Sequence, residues 1–121
     1  MASIRLVLVT MTPLDAGIIT DLISNYARID IVGDFVSRAE AEISVSDIAP
    51  DLILIGVPGE EADVIARAFL GLAPFAKVIV ISTDASGASL YEAGAHRLDL
   101  RRASSQEFIK AVLGVSRKWV I

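Results

Sequence analysis

The chemistry open to this 121-residue chain is set by fifteen acidic residues, a single histidine and no cysteine. Without a thiol there is no disulfide, no cysteine nucleophile and no thiolate metal site. His96 has no carboxylate at ligand or triad spacing, so it reads as a strand histidine and not as a base. The stretch from Pro50 to Gly59 has the form of a buried strand, with Leu52 to Ile55 as its apolar run. In an open parallel sheet, working side chains stand just outside the carboxyl ends of the strands. The residue in that place is Gly56, which has none. The matching places after the apolar runs Ile4–Val9 and Lys77–Ile81 hold Thr10 and Met11, and Ser82. The hydroxyls of Thr10, Thr12 and Ser82, with Arg101, could receive a small anion beside the N–H groups of helix starts. Cap and turn roles explain the hydroxyls better, and a surface ion pair the arginine. Asp34 and Asp84 are the remaining carboxylates near that edge, and they read as a strand-end residue and a helix cap, not a metal pair. The glycines around Gly87 and Gly94 match neither a P-loop nor a dinucleotide fingerprint. No nucleophile, base and orienter assemble, so the chain is expected to be no enzyme and to hold no metal and no cofactor.

The elements that would carry these positions follow from local signals. Ile4–Val9 is a β-branched run interrupted only by Arg5, a first and central strand. Thr12 can cap a helix with Pro13 at its first position and Asp15 in its first turn, with a stripe of Leu14, Ile18, Leu22 and Ile19, Ile23, Tyr26. Ile29–Val32 is a short second strand ending at Gly33 and Asp34. Ser37-Arg38-Ala39-Glu40 is a capping box opening a helix from Arg38 to Ile48. After the third strand, Glu60 and Glu61 favour a helix start, and Val64, Ile65, Ala68, Phe69 and Leu72 extend its stripe to Pro74. Lys77–Ile81 is a fourth strand. Ser82-Thr83-Asp84 reads as turn and cap of a short helix over Ala85–Ala93 stopped by Gly94. His96–Leu100 is a weak fifth strand, and Ser104-Ser105-Gln106-Glu107 opens a last helix with Phe108, Ile109, Val112 and Leu113 inward. Five strands alternating with five helices predict one α/β domain over residues 1–121, a parallel sheet covered on both faces.

Composition narrows the partners. Hydrophobic residues make up 54% and charged residues 21%, which excludes a disordered chain, and apolar runs of four to six residues are too short to span a membrane. A net charge of −4 argues against nucleic acid as a direct partner, since phosphate binding needs clustered lysine and arginine. Met1 to Thr12 lacks the plan of a secretion signal, so a cytoplasmic location is expected. The tail 114–121 ends in Trp119, Val120 and Ile121. Large apolar groups exposed together mark a contact surface; docking on the chain's own domain, or the start of a longer linker, are the alternatives.

The order and spacing of these pieces resemble the receiver domain of two-component response regulators, closest to the subgroup joined to helix-turn-helix DNA-binding domains. Ile4–Val9 followed by Thr12-Pro13-Leu14, then Val32-Gly33-Asp34, Ala49-Pro50-Asp51-Leu52-Ile53-Leu54-Ile55, Lys77–Ser82, Ala93-Gly94-Ala95 and Ala103–Ile109 carry the likeness, over about Ile4 to Leu113. It implies a flavodoxin-like, doubly wound sheet of five strands in the order 2-1-3-4-5. In that family an acidic pair after the first strand holds magnesium, and an aspartate ending the third accepts a phosphoryl group; here those places are Thr10, Met11 and Gly56. A hydroxyl, a thioether and a hydrogen give magnesium no carboxylate and the phosphoryl group no nucleophile. Ser82 keeps the family's hydroxyl switch position, Arg101 stands for its lysine, and Leu98 replaces its aromatic switch residue. The chain is also about two residues short between Gly56 and Ser82 and about three short between Ser82 and Gly94, close to one helical turn of ~3.6 residues. The resemblance with these losses implies a phosphorylation-independent pseudo-receiver that acts through protein contacts, with an unknown protein or a second copy as partner. Two alternatives stay open: the amino-terminal regulatory domain of a helix-turn-helix transcription regulator, and a flavodoxin-like sensor of a small anion or metabolite.

Overall fold

A computed structural model describes residues 3–83, 87–92 and 98–99. The elements are β1 (Ser3–Val9), α1 (Pro13–Ser24), β2 (Arg28–Phe35), α2 (Arg38–Ile48), β3 (Leu52–Val57), a 3-10 turn (Gly59–Glu61), α3 (Ala62–Leu72), β4 (Lys77–Ser82), β5 (Ala88–Tyr91) and β6 (Leu98–Asp99). They build an α/β domain around one sheet in the order β2-β1-β3-β4-β5-β6. β2, β1, β3 and β4 are mutually parallel, whereas β5 runs antiparallel to both β4 and β6. No helix among the described residues is long and apolar enough to cross a membrane.

Two layers of core cover the sheet. On one face, Ile19 and Ile23 of α1 pack on Ile4, Leu6, Leu8, Leu52, Leu54, Ile79 and Leu90. On the other, Ala41 and Val45 of α2 and Ile65, Ala66 and Phe69 of α3 pack on Val7, Val9, Ile53, Ile55, Val78 and Val80. The period-2 alternation of side chains explains why β1 and β3 read as continuous apolar runs: successive residues enter opposite layers and both layers are dry. Strand β2, at the sheet edge, is different. A register shift opposite Leu6 and Val7 puts a bulge in the β1–β2 pairing, and Asp30 and Asp34 lie along the strand. Bulges and charges blunt an edge against further pairing.

The local start signals behave as expected. The Thr12 side chain accepts from the Asp15 N–H at 3.1 Å with Pro13 at the first helical position, and Ser37 accepts from the Glu40 N–H at 3.5 Å. The expected stripes are only half buried. In α1, Ile19 and Ile23 face the sheet while Leu14 and Ile18 are 73% and 58% exposed, and Tyr26 lies beyond the helix end and is exposed. In α3 the buried side is Ala62, Ile65, Ala66 and Phe69, leaving Val64 and Ala68 outside. β2 runs on through Gly33 and Asp34 to Phe35, longer than the expected Ile29–Val32.

The largest departure is the segment expected to form a fourth helix over Ala85–Ala93. Its described part contains strand β5, which folds back on β4 with Ile81 opposite Ala88, Val80 opposite Ser89, Ile79 opposite Leu90 and Val78 opposite Tyr91. The Ser82 N–H donates to the Gly87 carbonyl at 2.8 Å, and Gly87 takes φ 125°, a backbone state that side chains resist. A hairpin closed on Gly87 therefore displaces the helix. The sheet accordingly has six strands and is not wholly parallel, and three α-helices, not five, occur among the described residues. The expected fifth strand is represented by Leu98–Asp99, and the expected last helix after Ser104 lies outside the described residues.

Candidate functional site

At the carboxyl ends of β1 and β3 the backbone of the Thr10 turn lies against Gly56. Thr10 leaves β1 at φ 50°, a left-handed state unusual for a β-branched residue, and is held there from two sides. Its N–H donates to the Phe35 carbonyl at 2.8 Å, tying the ends of β1 and β2, and its hydroxyl donates to the Gly56 carbonyl at 2.6 Å, tying β1 to β3. The turn lies across the end of β3 as a result. A Cβ added at buried Gly56 would stand 2.9 Å from the Thr10 carbonyl oxygen, 3.4 Å from the Met11 Sδ and 3.5 Å from the Met11 Cα. Gly56 itself avoids the left-handed region, so the demand for glycine here is steric and not conformational. Methionine suits the lining, since its flexible thioether fills irregular gaps.

Thr10, Met11 and Gly56 are thus brought together in close contact. Ser82 pairs with Val57 across β3 and β4 and closes the β4–β5 hairpin; Thr83 donates its N–H to the Val57 carbonyl at 3.0 Å. Thr12 is occupied as the α1 cap, and Asp34 is an exposed strand residue opposite Leu8. Leu98 pairs with Leu90 in the backbone ladder. Arg101, His96, Asp84 and the tail residues Trp119, Val120 and Ile121 lie outside the described residues. Among the described residues, no group of three histidine, aspartate or glutamate side chains is placed to hold a metal ion.

The β4–β5 hairpin is pinned by two polar contacts. The Tyr91 hydroxyl donates to the Asp63 carboxylate, joining β5 to the first turn of α3. At the open end, Lys77 Nζ lies 3.8 Å from Glu92 Oε2. Lys77 is buried, and burial pushes its amine below the ordinary lysine value, with the Glu92 carboxylate pulling the other way. A depressed lysine binds its proton less tightly folded than unfolded, so this residue's contribution to stability rises with pH across the interval up to about 10.5. At neutral pH Glu92 is one partner of the buried ammonium. Glu92→Gln is therefore expected to destabilise the fold by about 1 kcal/mol at pH 7, below the 3–5 kcal/mol of fully enclosed pairs because Glu92 is 44% exposed. The deficit should shrink by pH 10, where Lys77 is increasingly neutral. Urea unfolding at the two pH values measures this, and an equal deficit at both would show that the ion pair is not its cause.

The feature that the apolar stripes leave out is Phe75. It follows Pro74 in a tight turn closed by the Ala76 N–H on the Ala73 carbonyl at 3.0 Å, and it is 96% exposed. At the amino-terminal edge of the sheet, a pocket of about 190 Å³ opens between the α2–β3 and α3–β4 connections, lined by Ala49, Pro50, Asp51, Leu72, Ala73 and Phe75 itself among others. The sequence carried a signal for it: a large aromatic directly after Pro74, the proline that ends the α3 stripe.

Comparison with known protein families, with curated proteins and with solved structures finds no match.

Proposed function

We propose that this chain is a receiver-like, flavodoxin-like regulatory domain that works through protein contacts in the cytoplasm and accepts no phosphoryl group. One observation carries the reading: the Thr10 carbonyl oxygen lies 2.9 Å from the point where any side chain at Gly56 would begin. The place where a receiver would carry its acceptor is filled by main chain, and the Thr10–Gly56 and Thr10–Phe35 hydrogen bonds hold that filling in place. With the strand ends closed, binding falls to the outer surface. There Leu14 and Ile18 on α1, Val64 on α3, and Phe75 at the opposite edge offer exposed apolar groups.

The test is incubation with acetyl phosphate and magnesium followed by intact-mass measurement under conditions that keep acyl phosphates whole. No phosphoryl-sized gain in mass is expected; a labile adduct of that mass would overturn the reading.

A further inference from the structure

We infer that Met11 is a redox modification site: oxidation of its thioether to the sulfoxide by a peroxide loosens the turn that closes the end of β3 and, with it, the start of α1. This goes beyond the contact-module reading by giving the module a signal. Met11 stands at a joint. Its Sδ lies 3.4 Å from the place that a Cβ on Gly56 would take, it directly precedes the Thr12 cap, and it packs half-buried against the layer of Ile19 and Ile23 beneath α1. Ala16, one turn into α1, packs on the same layer, so the residues before and after the cap hold the helix start down as an apolar staple does. The chain has no cysteine to intercept an oxidant, and its other methionine is Met1.

In the step, hydrogen peroxide transfers one oxygen atom to Sδ. Its O–O bond breaks and an S–O bond forms; the thioether gives up two electrons, and the rest of the peroxide leaves as water. The new oxygen is a hydrogen-bond acceptor set down among acceptors. The Thr10 carbonyl oxygen lies 2.9 Å from the same point beside Gly56, and the Gly56 carbonyl already takes the Thr10 hydroxyl at 2.6 Å. A buried acceptor left without a donor is costly. The sulfoxide is satisfied by drawing the Thr10 hydroxyl off the Gly56 carbonyl, or by turning outward, to water or the Thr12 hydroxyl, and leaving its place on the α1 layer. Either course removes a restraint on Thr10, whose φ of 50° a β-branched residue keeps only while its surroundings fix it. The movement reaches Thr12 and Pro13 next, and so the helix that presents the exposed Leu14 and Ile18.

Treating the folded full chain with dilute hydrogen peroxide tests this. Trypsin then leaves Met1 in residues 1–5, Met11 in 6–28 and Trp119 beyond Lys118, so peptide masses place the added oxygen. One oxygen atom on the 6–28 peptide is expected. The Thr10 N–H, which donates to the Phe35 carbonyl, should exchange at least about tenfold faster, and the thermal midpoint should fall by several degrees. Methionine sulfoxide reductases for both epimers, which return the thioether and release water as a thiol pair is oxidised, should restore both properties. Met11→Leu, close in volume, should fold like the parent and lose the response to peroxide. A Met11 that stays reduced at a dose that oxidises free methionine overturns the inference, as does a sulfoxide that leaves Thr10 exchange unchanged, or a fall in midpoint that Met11→Leu retains. Exchange and reductase reversal on the parent chain decide the matter if Met11→Leu does not fold. The acetyl phosphate assay is run without peroxide and reads a phosphoryl mass, so the two readings fail separately.

Discussion

Gly56→Asp is expected to destabilise the domain by about 3 kcal/mol or more and to gain no phosphoryl group. Two costs combine. The new Cβ meets the Thr10 carbonyl oxygen at 2.9 Å, a backbone atom that can withdraw only if the turn moves. Moving it strains or breaks the Thr10 hydroxyl bond to the Gly56 carbonyl and the Thr10 N–H bond to the Phe35 carbonyl. Overpacking of this kind costs about 1–3 kcal/mol. The carboxylate adds its own desolvation against a carbonyl oxygen and a thioether, neither of which can donate a hydrogen bond or supply positive charge. Gly56→Ala separates the terms: it carries the steric part alone and should fall within about 1–3 kcal/mol. Chemical denaturation of the three proteins gives both differences. A Gly56→Asp protein as stable as the parent would mean that the Thr10 turn yields freely, and the strand end would then have to be regarded as open.

The strand-end closure marks the limit of what a sequence can disclose. That Gly56 lacks a side chain is plain from its letter, and the loss of carboxylates at Thr10 and Met11 likewise. That the Thr10 main chain occupies the space is not, because nothing in the string Val-Thr-Met-Thr-Pro signals a left-handed threonine; the state is imposed by hydrogen bonds to β2 and β3, 25 and 46 residues away in sequence. Features fixed by neighbours along the chain were legible. The Thr12 and Ser37 caps and the run Leu52–Ile55 rest on local chemistry or on an apolar run too long to misread, whereas the order of the first four strands follows only from the resemblance to receiver domains. The stripes of α1 and α3 were legible only as stripes: Leu14 and Ile18 compete with Ile19 and Ile23 for the same sheet, and the choice is made by the sheet.

Strand β5 escaped for a related reason. Ser89, Leu90 and Tyr91 are all buried, Leu90 in the α1 layer and Tyr91 in the α3 layer, so the segment lacks the solvent-facing side that a half-buried strand shows, and one serine in four residues is too short an alternation to read. Ser82-Thr83-Asp84 before it and Gly94 after it resemble helix boundaries, and a four-residue strand has too few positions to outweigh them. The shortening between Ser82 and Gly94 was the better clue. A segment with too few residues for the usual helix found another way to cover β4, by pairing with it, and the Lys77–Glu92 and Tyr91–Asp63 contacts hold that solution in place.

The second large effect is expected at Phe69, and its control lies six residues downstream. Phe69 is fully buried in the layer between α3 and the sheet, the largest side chain among those wholly enclosed there. Phe69→Ala should cost about 3–5 kcal/mol, the lost transfer of the ring plus the cavity it leaves, because α2, β3, β4 and α3 are all anchored to the same layer and cannot all move in. For a domain with a stability of roughly 5–15 kcal/mol that is a large share of the total, and the transition should shift by many degrees. Phe75→Ala removes the same atoms from a ring that water already surrounds, and should change stability by no more than about 0.5 kcal/mol. Thermal and urea unfolding of both variants provide the comparison. The contrast separates folding from contact within one residue type: Phe69 is spent on the core, while Phe75 remains available to a partner. Equal destabilisation by the two substitutions would place Phe75 in the core and remove the physical basis for assigning it to a binding surface.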